Sequence, residues 1–328
     1  MGLNEPPLEP QNRRITWLSA ILTRFHDGAI KTMKIRVTSV FDRMRERGHP
    51  RQAARVWAAA LLSVALAFAE PACAEDAKWP SSVSSRYKLS FNGFEVGAYS
   101  FESTSNGKTY SATSSANVSA LFGAFKWKGT ITASGGITPE KPKPVSYQMN
   151  YRTKSKAGLV RLGFDSMSGV KSLAIEPKKD PSPEAVPVKP EHMKSVFDPM
   201  SAIMAMTHAG AGDPCSKKLA VFDGKVRFNL TLSPKGRERL TETTPSGQPK
   251  ELHVCNVKYD PVAGHKPKDF VNPWVDFGAI EIALRPVPSA GVYVPYRITV
   301  PTTLGAAVMI ADRIDITAPN NTVIALTQ

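Results

Sequence analysis

The sequence lacks the short motifs that accompany the commonest catalytic and cofactor chemistries. It contains no G-x-S-x-G turn, no phosphate-binding loop, no glycine-rich dinucleotide fingerprint and no H-E-x-x-H pair of zinc ligands. The sequence therefore gives no motif that would assign it to one of these enzyme classes. We therefore expect a non-enzymatic protein with no cofactor, no metal and no catalytic residue.

A hydrophobic run long enough for a membrane span is also missing. The run from Val56 to Ala69 has 14 residues, whereas a helix needs about 20 to cross the hydrocarbon core. A basic segment precedes this run and Ala72-Cys73-Ala74 follows it, which is the pattern of a cleaved secretory signal. The sequence therefore predicts an exported, periplasmic protein that is cleaved after Ala74 and meets the membrane only through this transient signal. The arginines of the basic segment are Arg43, Arg45, Arg47, Arg51 and Arg55.

Two other interpretations of the leader stay open. A lipoprotein would be anchored through Cys73, although Glu70 and Pro71 stand where such signals carry small apolar residues. Translation from Met44 would give a short leader, whereas translation from Met1 adds a cytoplasmic extension. In either case, residues 1–74 are predicted to be extension and signal, and residues 75–328 a single exported β domain.

Cysteine is scarce, with three residues in the whole chain. Once the leader is removed, Cys215 and Cys255 remain, and an exported pair most economically forms one disulfide. The alternative is a metal site that combines these cysteines with His253 and His265. Zinc sites usually supply two close ligand pairs, and the sequence offers one such pair, so the disulfide is favoured.

Acidic residues are outnumbered, with 28 Asp and Glu against 42 Lys and Arg and a formal net charge of +14. The excess is spread along the chain apart from small clusters such as Lys126/Lys128. Scattered positive charge suits a solvated surface and also an anionic envelope partner, including a lipid. We expect no nucleic-acid partner, because the exported chain has neither a basic helix nor a known nucleic-acid-binding module.

Alternation of apolar and polar residues predicts strands through most of the exported chain. Tyr87, Leu89 and Phe91 alternate with polar residues, and Asn92-Gly93 and Asn106-Gly107 favour type I′ hairpin turns. The opening is therefore predicted to be a meander with strands at about 84–91, 94–105 and 108–119. Further strands are predicted at about 127–133, 147–151, 160–164, 173–175, 226–232 and 252–259, in a polar edge strand at 237–243, and in a last meander between 280 and 316.

Two segments interrupt this β pattern. The segment Pro177–Pro190 holds five prolines, which lack the amide hydrogen of a strand ladder, so it is predicted to be an exposed linker or long loop. Asp198-Pro199 is a helix start, and Met200, Ile203 and Met204 follow at helical spacing. The predicted fold class is therefore mainly β. It is an antiparallel meander forming a curved sheet or open β-barrel, with one short helix around 199–209.

Candidate binding residues are apolar. Phe122, Phe125 and Trp127 are either core anchors or the lip of an apolar pocket. Met200 and Met204 either fill the core or line the same pocket from the helix.

Carboxylates offer a weaker case for catalysis. Glu238 and Glu242 lie among basic residues and are more typical of a solvated edge. Asp260, Asp269 and Asp276 could converge on one site, but acid/base catalysis depends on a geometry that spacing does not establish.

A set of motifs resembles one family. They are FNGFEVGAYSFE at 91–102, DPMSAIMAM at 198–206, DPC at 213–215, VFDG at 221–224 and C-x-V-x-Y-x-P-V-A-G-H-K at 255–266. Together they resemble the exported bacterial proteins of domain-of-unknown-function family 3108 over roughly Tyr87 to Thr317. The resemblance implies an exported antiparallel β protein with no assigned catalytic residues, similar in outline to the half-open barrels of envelope lipoprotein carriers.

Three functional hypotheses follow. The first is a non-enzymatic periplasmic protein that binds a hydrophobic or anionic amphipathic envelope molecule. The second is a structural or interaction module in envelope assembly, which docks a partner at a sheet edge or at the proline-rich loop. The third is a hydrolase of envelope polymers, which needs polar groups that converge in a cleft.

Overall fold

The computed structural model describes residues 79–120, 123, 125–178, 180–210, 212–241, 246–266, 280–302 and 305–327. These residues form one α-helix, α1, and a set of antiparallel strands. Two 3₁₀ turns, Pro190–Met193 and Pro288–Ala290, and α1 at Pro199–Thr207 are the helical elements. The strands are Ser82–Phe91 (β1), Phe94–Ser105 (β2), Thr109–Ala120 (β3), Phe125–Ile137 (β4), Pro142–Thr153 (β5), Ala157–Phe164 (β6), Val170–Glu176 (β7), Lys218–Phe222 (β8), Arg227–Arg239 (β9), Glu251–Ala263 (β10), Glu281–Val287 (β11), Val292–Thr302 (β12), Gly305–Thr317 (β13) and Val323–Thr327 (β14).

All the strands belong to a single open sheet. Its order is β7-β6-β5-β4-β3-β2-β1-β13-β12-β11-β10-β9-β8, and β14 pairs with the second part of β13. Strands β1–β7, the first half, and β8–β14, the second half, join where β1 pairs with β13. The predicted fold class, a curved antiparallel sheet with one helix, is confirmed. The proline-rich segment connects two halves of one sheet.

Turn residues with positive φ set the boundaries of two hairpins. Asn92 and Gly93 both have positive φ values, of 51° and 82°, as the predicted type I′ turn between β1 and β2 requires. Gly224 has a φ of 96° in the turn between β8 and β9. The predicted polar edge strand at 237–243 starts within β9, which continues to Arg239 and pairs with β10.

The buried face of the sheet, which we call the inner face, packs against α1. In the first half this face carries Tyr110, Ala133, Tyr147, Val160 and Leu162, which alternate with exposed residues along their strands. Helix α1 contributes Met200 and Met204 to this cluster, and Ala202, Ala205 and Met206 to a second cluster with β8, β10 and β11. The helix therefore fills the interior of the curved sheet and ties its two halves together.

A short segment bridges the two free edges of the sheet. The amide of Val196 donates to Ser168 O in the β6–β7 turn at 3.0 Å. The next residue, Phe197, donates to Ala220 O and accepts from the amide of Phe222, so it pairs with β8 in parallel. Gly224 completes this junction, because a Cβ atom there would meet the Val160 side chain of β6.

The proline-rich loop docks at the end of β10. Val186 exchanges two backbone hydrogen bonds with Gly264 and His265, at 2.7 and 2.8 Å. Glu184 lies 3.8 Å from Lys266. The loop that the sequence predicts to be exposed is therefore anchored at its middle by the G-H-K motif.

The leader falls outside the described residues. Its apolar run 56–69, Met44, Cys73 and the expected cleavage site after Ala74 are therefore not described. Four other residues of the predictions also lie outside the described ranges: Phe122, Glu242, Asp269 and Asp276.

A candidate anion-binding groove

An open groove runs along the outer face of β4–β7, opposite the buried core. Its cavity volume is about 490 Å³. We call it the basic groove and define it by Lys128, Thr130, Asn150, Arg152, Leu159, Glu176 and Pro177. A second cavity, beside Arg285 and Asp312, measures about 10 Å³.

Strand register places the groove residues side by side. Lys128 pairs with Arg152 across β4 and β5, and Thr130 pairs with Asn150. Leu159 lies opposite Asn150 on one side and opposite Glu176 on the other. The groove therefore combines two cations, one carboxylate, two neutral hydrogen-bonding side chains and an apolar flank.

The pairing of Lys128 with Arg152 costs stability. Like charges directly opposite each other on neighbouring strands are destabilising. Neither cation forms an ion pair with any described residue, whereas the groove's carboxylate, Glu176, lies 3.8 Å from Arg161. An anion bound between Lys128 and Arg152 would relieve their repulsion and accept hydrogen bonds from both.

Further cations lie outside the groove, toward the strand ends. Lys126 precedes Lys128 by two residues and Lys154 follows Arg152 by two residues, a spacing that keeps side chains on one face of a strand. Lys156 ends the β5–β6 turn, and all three lysines are exposed. The sequence shows Lys126 and Lys128 as a cluster, but their proximity to Arg152 results from the register between β4 and β5.

The predicted pocket residues occupy separate places. Met200 and Met204 are buried in the packed core beside Tyr110 and Tyr147. Trp127 is half-buried and its ring lies over Gly129, on the same strand face as Ala133 but six residues away, or about 20 Å. Phe125 is two residues farther from Ala133 along β4. A shared apolar pocket lined by these residues stays a prediction.

The DPMS motif forms a buried hydrogen-bonded start for α1. Asp198 caps the helix by accepting from the amides of Met200 and Ser201 at 2.9 and 3.0 Å. The Ser201 hydroxyl donates to the second carboxylate oxygen, and Ser201 Oγ lies 2.6 Å from the hydroxyl of Tyr110. Burial raises the pKa of Asp198 to about 6, while these hydrogen bonds oppose the rise.

The other end of α1 is capped by a lysine. Lys217 Nζ donates to the carbonyls of Ala205, Met206 and His208 at 3.0, 2.9 and 2.6 Å. Burial lowers the pKa of Lys217 to about 8. His208 stacks on Trp79 with ring centroids 4.1 Å apart, and its Nε2 lies 2.7 Å from Pro139 O, which requires a proton on Nε2. Burial lowers the pKa of His208, which keeps the ring neutral.

Cys215 and Cys255 form a disulfide, with their Cα atoms 5.2 Å apart. The bond joins the segment after α1 to β10. It uses both sulfur atoms, so the alternative metal site has no thiolate ligand. Its two histidines are also apart, since His253 packs edge-on against Tyr293 and His265 hydrogen-bonds Tyr259 at 2.9 Å.

The acidic and metal-ligating side chains of the described residues are dispersed. No group of three or more His, Cys, Asp or Glu side chains there converges on a possible metal position. Glu238 binds Arg297 at 2.7 Å, and Asp260 lies 2.7 Å from Lys258, so each of these carboxylates already has a cation as partner. No helix in this part of the chain has the length and apolar character of a membrane span.

The fold and its motifs define an antiparallel β protein whose curved, open sheet wraps one helix. The family model for proteins of unknown function, DUF3108, matches residues 86–312, and the chain belongs to this family. No curated protein matches it. It is also similar to the crystal structure of a beta-barrel-like protein of the domain of unknown function DUF1849 from Brucella abortus, with 8% identity and a TM-score of 0.40, over 73% of this chain and 98% of that one.

Proposed function

We propose that this protein is an exported, non-enzymatic protein of the cell envelope that binds an anionic amphiphile in the basic groove. The observation that carries this proposal is the Lys128–Arg152 pair, in which two cations face each other across neighbouring strands with no described carboxylate between them. Such a pair opposes folding and favours an anionic ligand.

The rest of the groove suits a molecule with a polar head and an apolar chain. Thr130 and Asn150 can hydrogen-bond a head group beside the two cations, and Leu159 and Pro177 offer an apolar flank. The interior of the sheet is occupied by α1 and its methionines. The proposed ligand therefore binds on the outer face of the sheet.

Export is supported by two independent features. The leader has the order of a secretory signal, and the cysteines that follow it form a disulfide, which persists in oxidising compartments. Three of the motif residues have structural roles: Asp198 caps α1, Gly224 packs closely against β6, and His265 docks the proline-rich loop.

Calorimetric titration with decyl phosphate, kept monomeric, tests the proposal. We expect saturable binding that weakens with added salt, and about tenfold or greater loss in Lys128→Gln/Arg152→Gln. Lys108→Gln/Lys141→Gln is the matched control, because it removes the same charge at the opposite end of the first half. The proposal fails if the wild type does not bind, or if both double variants lose affinity equally.

A further inference from the structure

Three hairpin turns of the first half, β1–β2, β3–β4 and β5–β6, lie at the same end of the sheet. Gly97 pairs with Val118, so Phe94 lies level with the start of the β3–β4 turn. Phe125 pairs with Ala120 at that same turn. Since Trp127 pairs with Thr153, the β5–β6 turn that carries Lys154 and Lys156 also reaches this level.

Aromatic side chains mark this end, which we call the hairpin end and define by Phe94, Phe125, Lys126, Trp127, Lys154 and Lys156. Phe94 is 78% exposed just after the β1–β2 turn, and Phe125 and Trp127 are half-buried. An exposed phenylalanine at a hairpin tip adds nothing to the core. Aromatic side chains at such positions are typical of surfaces that enter a membrane interface.

Three lysines gather at the hairpin end, and one carboxylate, Glu95, follows Phe94 there. Lys126, Lys154 and Lys156 are exposed, and none forms an ion pair with any described residue. At the opposite end of the same strands, Lys141 and Lys143 lie near Glu140, whose pKa is lowered by hydrogen bonds with the Thr138 side chain and its own backbone and, in smaller part, by these two lysines. Glu140 thus lies beside two lysines at that end, whereas none of the three lysines of the hairpin end forms an ion pair with a described carboxylate.

We infer that the hairpin end is a docking surface for an anionic phospholipid bilayer. The turns present aromatic tips with lysines beside them, which allows shallow insertion of Phe94 while the cations contact lipid head groups. This arrangement fits a bilayer better than a peptide strand, because it consists of turn tips and offers no continuous strand edge. The inference goes beyond the proposed function and uses cations other than Lys128 and Arg152.

Vesicle sedimentation of the exported protein tests this surface. We expect binding to vesicles of phosphatidylglycerol and phosphatidylcholine, and little to phosphatidylcholine alone. Lys126→Gln/Lys154→Gln/Lys156→Gln should lower the partition constant by on the order of 100-fold at low salt, at about fivefold per cation. Phe94→Ser should lower it by about tenfold.

Matched controls lie at the opposite end of the sheet. Lys108→Gln/Lys141→Gln/Lys143→Gln removes the same charge there, and Val323→Ser removes an apolar side chain that is 71% exposed beside the β13–β14 turn. Neither should change the partition constant more than about twofold. Absence of wild-type binding to the anionic vesicles, or equal losses in the test and control sets, would overturn the inference.

Two further readouts keep this test independent of folding and of the groove. Phe94→Trp should show a blue-shifted emission with anionic vesicles, and an unchanged spectrum would contradict docking through this residue. The triple lysine variant should still bind decyl phosphate, whereas Lys128→Gln/Arg152→Gln should lose decyl phosphate but keep most of its vesicle binding. Failure of the bilayer inference is thus distinguishable from failure of the proposed groove.

Discussion

Two groups of cations, one in each half of the sheet, have different surroundings. In the second half, Lys235 pairs with Glu281, Arg237 with Glu251 and Arg297 with Glu238. In the first half, Lys128 faces Arg152, and neither has a described acidic partner. Both sets lie on solvent-facing parts of one antiparallel sheet, so exposure alone does not explain the difference.

Cations that form ion pairs within the chain contribute to stability, whereas cations without such partners are available to bind a ligand. Exposed ion pairs contribute little each, but they satisfy both partners within the chain. An unpaired, like-charged cross-strand pair weakens the fold slightly and keeps both side chains free to bind. We therefore expect substitutions in the second half to change stability, and substitutions in the basic groove to change binding.

The largest expected effect concerns the disulfide that secures the second half. Cys215→Ala/Cys255→Ala should lower the free energy of unfolding by about 4 kcal/mol, because the bond closes a loop with a sequence separation of 40. Urea unfolding of the oxidised variant and wild type measures this loss. Below the unfolding transition, decyl phosphate affinity should stay unchanged, and a parallel loss of affinity would show that the halves are not separable in this way.

The buried carboxylate at the junction of the halves gives a smaller, pH-dependent effect. Because the folded pKa of Asp198, about 6, lies above its unfolded value, its contribution to stability is fully present below about pH 4 and is lost as the pH rises through 6. Asp198→Asn keeps an N-cap and carries no charge. Between pH 4 and pH 7.5, the free energy of unfolding of Asp198→Asn should rise relative to that of the wild type by on the order of 2–3 kcal/mol.

Urea unfolding at both pH values measures the difference. Asp198→Ala serves as the comparison, since it also removes the titrating group but loses the cap and should be about 1 kcal/mol less stable than Asp198→Asn at each pH. A wild-type advantage over Asp198→Asn that grows with pH would contradict the assigned direction.

The close approach of Gly224 to Val160 tests how tightly the two halves are joined. Gly224→Ala should lower the free energy of unfolding by about 2 kcal/mol, because the new Cβ atom meets the Val160 side chain and φ is positive at this position. Gly247→Ala is the matched control, because its φ is 72° and a Cβ there would meet no atom within 4 Å. Equal costs for the two variants in thermal unfolding would mean that the contact with β6 adds nothing.

The strands and the helix were predictable because they depend on local patterns. Asn92-Gly93 set the first hairpin, and Asp198-Pro199 set the start of α1, as its capping hydrogen bonds confirm. The disulfide was predicted from the expected export signal and the cysteine count. The strand β14 was missed, since its five residues, Val323–Thr327, carry only two buried side chains, Ile324 and Leu326.

The basic groove could not be predicted from spacing. Lys128 and Arg152 are separated by 24 positions and meet only because the β4–β5 register places them opposite each other. Nor did the spacing of Met200 and Met204 distinguish a pocket wall from core filling, because that depends on what packs against α1. Patterns along the chain predicted the strands, and the contacts between strands created the site.

Two matched double variants test the central claim most directly. Lys128→Gln/Arg152→Gln lies in the first half, and Lys235→Gln/Arg237→Gln in the second, so both remove two exposed cations from the sheet. We predict that the first lowers decyl phosphate affinity about tenfold or more and leaves the free energy of unfolding within about 0.5 kcal/mol, or raises it slightly. The second should lower the free energy of unfolding by no more than about 1–2 kcal/mol and leave affinity unchanged. Equal effects of the two variants on affinity would contradict the account.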